Sequence, residues 1–406
     1  CYGLPVLSRA PALPGLVASL PFLLSVVLYW FALYPADRAI RQVAIEVYLV
    51  RSRPVQPVWS RGQFLMFNLR HQMLFILAPM LLILIVRDIV SWYDEELTRI
   101  SQYANVSDLI LGAVAGFIAI VAPVMLRYIW VTQRLPDGPL RDRLRLLAKK
   151  LRMGCREILV WKSGGMLVNA AVMGVFAPVR YVLLTDGMLS QMDDTKIEAV
   201  FGHEAGHVKR HHILFFLLFA LISGCVLTIF SIRIRGTDRE TYQIASAVMG
   251  SLLLLKWGVL FFWVSRKFER QADLFGVRAL QIAGVPCSQV CPAHGNPSEP
   301  ETRPNRAEAM CVTCADIFSA TLYDVAILNG IAPDSGSMRH GTIASRSMFL
   351  QKLVRDPAAA ARFERSVLMI KSIIVVAAVG FSAWAAVEMR LWELAASLLR
   401  TAGVST

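Results

Sequence analysis

The stretch that decides the fold is His203-Glu204-Ala205-Gly206-His207, which lies between strongly apolar segments. On an α-helix, residues four apart project from one face, so the two histidines can present their imidazoles to one metal ion. Glu204, one step round the helix, would then reach a water on that metal. Two histidines at this spacing with a glutamate between them are typical of a zinc peptidase.

Catalytic zinc needs a third protein ligand and an open position for water. Glu269 is the best candidate, because it lies on a second helical stretch with Asp273 four residues further on. Asp273 points the same way as Glu269 and can accept the free ring N–H of His203 or His207, which fixes the tautomer of that histidine. The alternative is a surface helix in which the motif arose by chance.

Polar residues mark both ends of the predicted metal helix. Asp193, Asp194 and Thr195 offer N-cap oxygens, and Glu198 falls three residues after Thr195, as a capping box requires. At the other end, His211 and His212 could be extra ligands. Beside Lys209 and Arg210, they are better interpreted as a polar collar at the membrane surface.

Composition places the chain among membrane proteins. Of 406 residues, 56% are hydrophobic and 17% are charged, and the mean hydropathy is +0.52. An ordinary soluble enzyme of this length is less apolar. Runs of about 20 apolar residues predict six spans, at 16–34, 72–92, 109–126, 213–232, 244–264 and 367–387.

Charged residues inside these runs need their own explanation. Arg87 and Lys371 are expected to lie near an interface and snorkel to it. Lys256 is more central, and either faces a polar interior or lies on a tilted helix without a functional charge.

The distribution of basic residues predicts the orientation. Arginines and lysines concentrate between the first two spans and after the third, so both segments are expected on the cytoplasmic side. Alternation then places 128–212 and 265–366 on that same side, where the two ligand helices can meet. This bias and attraction to anionic lipid account for the net charge of +13. No nucleic-acid partner is expected, because the basic residues lie next to the spans.

The segment before the metal helix changes from helical to strand periodicity. Leu140 to Arg156 reads as a basic amphipathic helix, and β-prone runs follow at 157–161, 167–173 and 180–185. A small antiparallel sheet is therefore expected. Asn169 to Met173, including Ala170, could bind an extended substrate by main-chain pairing, although an ordinary core strand is an equal alternative.

Residues 285–316 form a proline-rich, polar excursion that holds two pairs of cysteines. Cys287 and Cys291 are followed by Cys311 and Cys314, and His294, which lies between the pairs, could replace one cysteine. This spacing is typical of a structural zinc knuckle, and a reducing cytoplasmic face disfavours disulfides. Free thiols, a redox pair and an iron–sulfur site are the alternatives.

These motifs together resemble the HtpX-like and CAAX prenyl protease family of membrane-bound zinc metallopeptidases. The resemblance covers roughly 140–350 and includes the Tyr181–Leu189 segment, both ligand helices and His340-Gly341-Thr342 followed by Arg346. It implies Zn²⁺ on His203, His207 and Glu269, with Glu204 as general base. It further implies that His340 stabilises the oxyanion, that Arg346 engages substrate, and that Asn169-Ala170-Ala171 is the edge-strand element.

Two departures from that family are visible. Gly341 and Thr342 stand where the family has proline and serine, and the Cys-rich excursion is not a general family feature. Substrate preference is therefore expected to differ, while the reaction is retained.

The resulting expectation is a mainly α membrane protein with a small antiparallel β-sheet, in which a zincin-like metallopeptidase domain is interleaved with about six transmembrane helices. It would be a zinc metalloendopeptidase of the bacterial cytoplasmic membrane, acting on membrane or misfolded proteins at the cytoplasmic face. Processing of lipidated peptides and a non-catalytic membrane scaffold are the alternatives. The oligomeric state is left open.

The predicted spans and motifs divide the chain into five segments. These are a membrane region with three spans at 1–130, the sheet and metal helix at 131–212, two spans at 213–264, the third-ligand helix with the Cys-rich excursion and His340/Arg346 element at 265–366, and the last span with its tail at 367–406.

Overall fold

The computed structural model describes residues 13–50, 58–93, 95–97, 106–165, 167–294, 309–393 and 395–396. The chain forms two compact units, one of residues 133–384 and one of residues 1–132 with 385–406. Residues 295–308 of the predicted Cys-rich excursion lie outside the described residues. The five-segment division stays a prediction.

The N-terminal unit is helical where it is described. Its helices are α1 (Leu13–Val50), α2 (Arg61–Asn68), which continues through a π-helical turn at Leu69–Met73 into α3 (Leu74–Trp92), and α4 (Val106–Ile129). Trp30, Tyr34 and Phe64 form a small aromatic core between α1 and α2. The Tyr34 hydroxyl donates to the Trp59 carbonyl at 2.9 Å, which satisfies the polar end of an otherwise buried ring.

The second unit holds the predicted site. Its helices are α5 (Pro139–Lys150), α6 (Asp186–Gln191), α7 (Asp194–Lys209), α8 (His212–Arg233), α9 (Arg239–Leu255), α10 (Phe262–Ala283), α11 (Val312–Leu328), α12 (Ile343–Arg355) and α13 (Pro357–Glu388). A π-helical segment, Lys256–Phe261, joins α9 to α10. The predicted amphipathic helix is α5, which buries Leu144 and Leu147.

The sheet has four strands in the order β1 (Thr132–Arg134), β2 (Glu157–Trp161), β4 (Tyr181–Thr185) and β3 (Ala170–Met173). The expected fully antiparallel pairing is wrong, because β2 and β4 run parallel while β3 and β4 run antiparallel. β4 inserts between β2 and β3, so two strands of the same direction become neighbours. All five residues of β4 are buried, as a central strand requires, and β3 is left at the edge.

Several helices have the length and composition of membrane spans. Within the described residues, five stretches qualify: Gly15–Val43, Arg61–Trp92, His212–Arg233, Arg239–Ala283 and Pro357–Glu388. A sixth would be the pair Leu109–Ile118 and Ile120–Ile129, which is bent by 50°. These stretches correspond to the six predicted runs. The chain is an integral membrane protein with five to six candidate spans.

The charges in these spans have specific partners. Lys371 does not snorkel as expected, because it is buried and its Nζ donates to the Arg210 carbonyl at 2.7 Å. Lys256 is half-buried against α8, where its Nζ donates to the Phe219 carbonyl at 2.7 Å. Both lysines therefore donate to carbonyls of the protein.

Small residues bring the two ligand helices together. A Cβ added to Gly202 would lie 2.6 Å from Ala279 Cβ, and one added to Gly206 would lie 3.0 Å from Ala272 Cα. Only glycine therefore allows α7 to cross α10 at this distance, and the crossing places His203 and His207 opposite Glu269.

The start of the metal helix differs in detail from the expectation. Asp193 is the N-cap, and its side chain accepts from the backbone N–H of Lys196. The expected Thr195–Glu198 capping box is wrong, since Glu198 instead accepts two hydrogen bonds from Arg143, at 2.8 and 2.9 Å. Glu198 thereby ties α7 to α5.

Candidate metal centre

The three predicted ligands converge in the structure. His203 Nε2 lies 3.2 Å from His207 Nε2 and 3.6 Å from a carboxylate oxygen of Glu269. His207 Nε2 lies 3.7 Å from the other oxygen of that carboxylate. All three side chains are mostly buried, with 12%, 17% and 6% of their surfaces exposed, respectively.

These distances test whether one ion would fit. Tetrahedral zinc with bonds of about 2.0–2.1 Å to nitrogen and oxygen sets its ligand atoms about 3.3–3.4 Å apart. The observed separations of 3.2, 3.6 and 3.7 Å are close to that value. Burial also lowers the pKa of His207 to about 4, which keeps the imidazole neutral as a ligand must be. The donor set therefore fits a zinc ion with one position left for water or substrate.

Glu204 lies between this centre and the edge of the sheet. Its Oε2 accepts a hydrogen bond from the backbone N–H of Val172 in β3, at 3.0 Å. Burial raises the pKa of Glu204 to about 7. A carboxylate with such a pKa can take up and return a proton near neutral pH.

Asp273 is placed where the sequence predicted it. Its Oδ1 lies 3.0 Å from His203 Nδ1, the ring nitrogen that faces away from the other ligands. Arg346 forms a two-pronged ion pair with the same carboxylate, with Nε donating to Oδ2 at 2.8 Å. Arg346 thereby holds the Asp273 carboxylate in place, and that carboxylate orientates His203 with Nε2 toward the centre.

Arg346 was assigned to substrate by resemblance, and no observation tests that role. The structure places it 6% exposed, with a guanidinium nitrogen 3.7 Å from Glu269 as well as the pair to Asp273. These contacts give it the position of a residue that orders the ligand carboxylates.

His212 plays no part in a surface collar, and that expectation is wrong. It is fully buried, and its Nδ1 lies 3.0 Å from Nδ1 of His207. Its Nε2 lies 2.9 Å from Gln271 Oε1, which also accepts from Lys371 Nζ at 3.0 Å.

The direction of these hydrogen bonds follows from Lys371, which can only donate. Gln271 Oε1 is therefore an acceptor, so His212 donates from Nε2 and accepts at Nδ1. His207 must then donate from Nδ1, which leaves the lone pair of its Nε2 directed at the metal position. These hydrogen bonds, from His207 to His212 and from His212 to Gln271, form the His212 relay. The sequence did not predict this relay, because His212 and Gln271 lie on two different helices.

His340 reaches the third ligand from the loop before α12. Its Nδ1 lies 2.9 Å from Glu269 Oε2, and 45% of its side chain is exposed. Gly341 has a φ of +73°, which a proline cannot adopt, so the backbone here differs from the proline-containing element of the resembling family. Thr342 caps α12 by accepting from the Ser345 N–H, a role that serine also fills.

The predicted substrate strand is an edge strand. Asn169 precedes β3 and accepts the Thr185 N–H at its carbonyl, while its side chain accepts the Ala170 N–H at 2.8 Å. In this register the backbone groups of Ala171 and Met173 point to β4, whereas the N–H of Val172 points away from β4 and donates to Glu204. The strand is thus positioned beside the candidate base.

The four predicted cysteines do not form one group. Cys287, Cys291 and Cys311 gather with His294, and these four offer donor atoms within 4.8 Å of one another. Cys314 is buried in α11 but lies outside this set.

Comparison with known proteins bears on residues 136–321, which match the model of Peptidase family M48. This part of the chain is therefore similar to Peptidase family M48. The match includes both ligand helices and ends before His340.

Among curated relatives, a "Protease HtpX homolog" of Albidiferax ferrireducens is 25% identical over 211 residues, which cover 44% of this chain and 70% of that protein. "Protease HtpX" of Nitrosococcus oceani is 30% identical over 34% of this chain and 48% of its own length. The "CAAX prenyl protease 1 homolog" of Arabidopsis thaliana is 29% identical over 36% and 37%, respectively. The chain spans half or less of the last two relatives.

A crystal structure of S. mikatae Ste24p aligns with a TM-score of 0.46 and 16% identity, over 78% of this chain and 81% of that one. The predicted resemblance to HtpX-like and CAAX prenyl proteases is confirmed by the M48 match and by these curated relatives. The match to Peptidase family M48 agrees with the predicted class of enzyme.

Proposed function

We propose that this chain is a zinc-dependent metalloendopeptidase that cleaves membrane or misfolded proteins at the cytoplasmic face of the bacterial cytoplasmic membrane. The observation that supports this best is the convergence of His203, His207 and Glu269 at spacings that fit one tetrahedral ion, with Glu204 beside them. The cytoplasmic orientation rests on the distribution of basic residues along the sequence.

A bound zinc ion would supply Lewis-acid activation of a water and of the scissile carbonyl. Glu204 takes the proton of the attacking water and returns it to the leaving amine, for which its pKa of about 7 is suited. His340 contacts Glu269 through Nδ1, which donates to the carboxylate, so the doubly protonated ring is the form that can donate, from Nε2, to the oxygen of the carbonyl under attack. An extended substrate that lies along the outer edge of β3 passes Glu204 and would replace Glu204 as the acceptor of the Val172 N–H.

A pocket beside His340 offers room for side chains of the substrate. It is lined by Arg266, Arg270, Met338 and Ser345, among others. The two arginines make this pocket basic, and it opens next to the centre that His340 contacts. Peptides with an acidic residue or a terminal carboxylate near the scissile bond should fit it best.

The test is Glu204→Gln in the full chain, purified in detergent. The amide keeps the size of the side chain but cannot take a proton, so casein hydrolysis should fall at least a hundredfold while zinc content stays at the wild-type level. Lys209→Gln, on the exposed end of the same helix, is the matched control and should retain activity.

Hydrolysis that survives Glu204→Gln would remove Glu204 from the role of base. Wild-type protein that binds zinc but cleaves neither casein nor a prenylated C-terminal peptide would instead support the non-catalytic scaffold. Cleavage of the prenylated peptide alone would assign the chain to processing of lipidated substrates.

A further inference from the structure

A second cluster of soft ligand atoms lies apart from the peptidase centre. Cys287 Sγ is 3.4 Å from Cys291 Sγ and 3.6 Å from Cys311 Sγ. His294 completes the group, with Nδ1 3.5 Å from Cys291 Sγ. Cys291 and Cys311 are 4% and 0% exposed, so these sulfur atoms are inside the protein.

We propose that Cys287, Cys291, Cys311 and His294 bind a structural zinc ion. Zinc–sulfur bonds of about 2.3 Å in a tetrahedron place two sulfur atoms about 3.8 Å apart, close to the observed separations. A disulfide would require about 2.05 Å. A cubane iron–sulfur cluster would bind its thiolates on separate iron atoms, whereas these four donors all lie within 4.8 Å of one another.

Neighbouring residues hold the cluster in shape, and Cys287 Sγ itself lies 3.0 Å from the Gln289 carbonyl and 3.5 Å from Thr313 Oγ1. Thr313 accepts the backbone N–H of Ser288 at 3.1 Å, and the side chain of Gln289 donates to Asp316 at 3.0 Å. These bonds fix the loop of residues 287–289 onto the first turn of α11. The backbone N–H of His294 also points at Cys291 Sγ, at 3.3 Å, as amides do around zinc-bound thiolates.

Cys311 stands at the start of a helix, as the N-cap residue of the 17-residue α11. Four protein ligands leave no open position, so the site is closed and structural. It would bind the segment that follows α10 to the N-cap residue of α11.

The fourth ligand distinguishes this site from the knuckle expected from the cysteine spacing. That expectation used Cys314, but Cys314 lies one turn inside α11 and outside the four-donor group. His294 takes its place. The structure therefore predicts that His294 and Cys314, although both lie near Cys311, differ sharply in their effect on metal content.

The experiment measures zinc and iron per chain in detergent-purified full-length protein. Wild type should hold about two zinc ions, and Cys291→Ser and His294→Ala should each hold about one. Cys314→Ser and the remote Cys225→Ser should both keep about two. A Cys314→Ser protein that loses one zinc while His294→Ala keeps both would overturn the assignment, as would stoichiometric iron.

A measurement on unaltered protein covers the case in which a variant fails to fold. Titration of wild type with an organomercurial should release one zinc equivalent as the cluster thiols react, measured with a metallochromic dye. The His/Glu centre contains no sulfur, so its zinc should stay bound. No release of zinc would overturn the proposal, whereas lack of peptidase activity would bear only on the other centre.

Discussion

Replacing His212 by phenylalanine would test the relay that orientates His207. The aromatic ring should keep its stacking on Phe268, whose ring centroid lies 4.4 Å away at an interplanar angle of 5°. What is lost is the acceptor 3.0 Å from His207 Nδ1, so that N–H becomes a buried donor without its partner. Loss of a partner of this kind typically lowers metal affinity or activity by about 10–100-fold, or about 1.4–2.8 kcal/mol.

The assay is zinc affinity by competition with a chelating dye, together with kcat/KM on casein. Both should fall by about 10–100-fold in His212→Phe. His211→Asn is the matched control, because His211 is the exposed neighbour with a φ of 56°, a conformation that asparagine tolerates. It should stay within about twofold of wild type. Unchanged zinc affinity in a folded His212→Phe protein would refute the relay.

Three further changes follow from the same geometry. Arg346→Lys cannot form the two-pronged pair to Asp273, so zinc affinity should fall by about tenfold or more; a raised KM with unchanged zinc affinity would instead assign Arg346 to substrate. Gly202→Ala places a methyl group 2.6 Å from Ala279 Cβ and should cost about 1–3 kcal/mol of stability in thermal unfolding, whereas Gly224→Ala, with nothing within 4 Å, should not. Removal of zinc with 1,10-phenanthroline should stop casein hydrolysis and added zinc should restore it; hydrolysis that resists the chelator would contradict the metal-dependent mechanism.

The parts of the fold that local periodicity determines could be predicted from the sequence. The helical spacing of His203 and His207, and of Glu269 and Asp273, places each pair on one face, and that much is visible in the chain. The strand at 157–161 was predicted with its bounds as observed.

Features that depend on the arrangement of separate elements could not be predicted. The sequence has no signal for the insertion of β4 between β2 and β3, and that insertion makes one pair of strands parallel. The role of His212 depends on Gln271 in α10 and Lys371 in α13, more than fifty residues away along the chain. A polar run at the start of a span looks the same whether it faces lipid head groups or the protein interior.

The two candidate metal centres are connected through one helix. Cys311 is the N-cap residue of α11, and within that helix Phe318 fills the space left by Gly276, where an added Cβ would lie 2.3 Å from the ring. The same ring lies 6.2 Å from the imidazole of His203, between centroids. A zinc ion at the start of α11 would therefore fix the position of Phe318, whose ring packs between α10 and His203. The effect of that ion on peptidase activity should be indirect and transmitted by packing, since none of its ligands belongs to the peptidase centre.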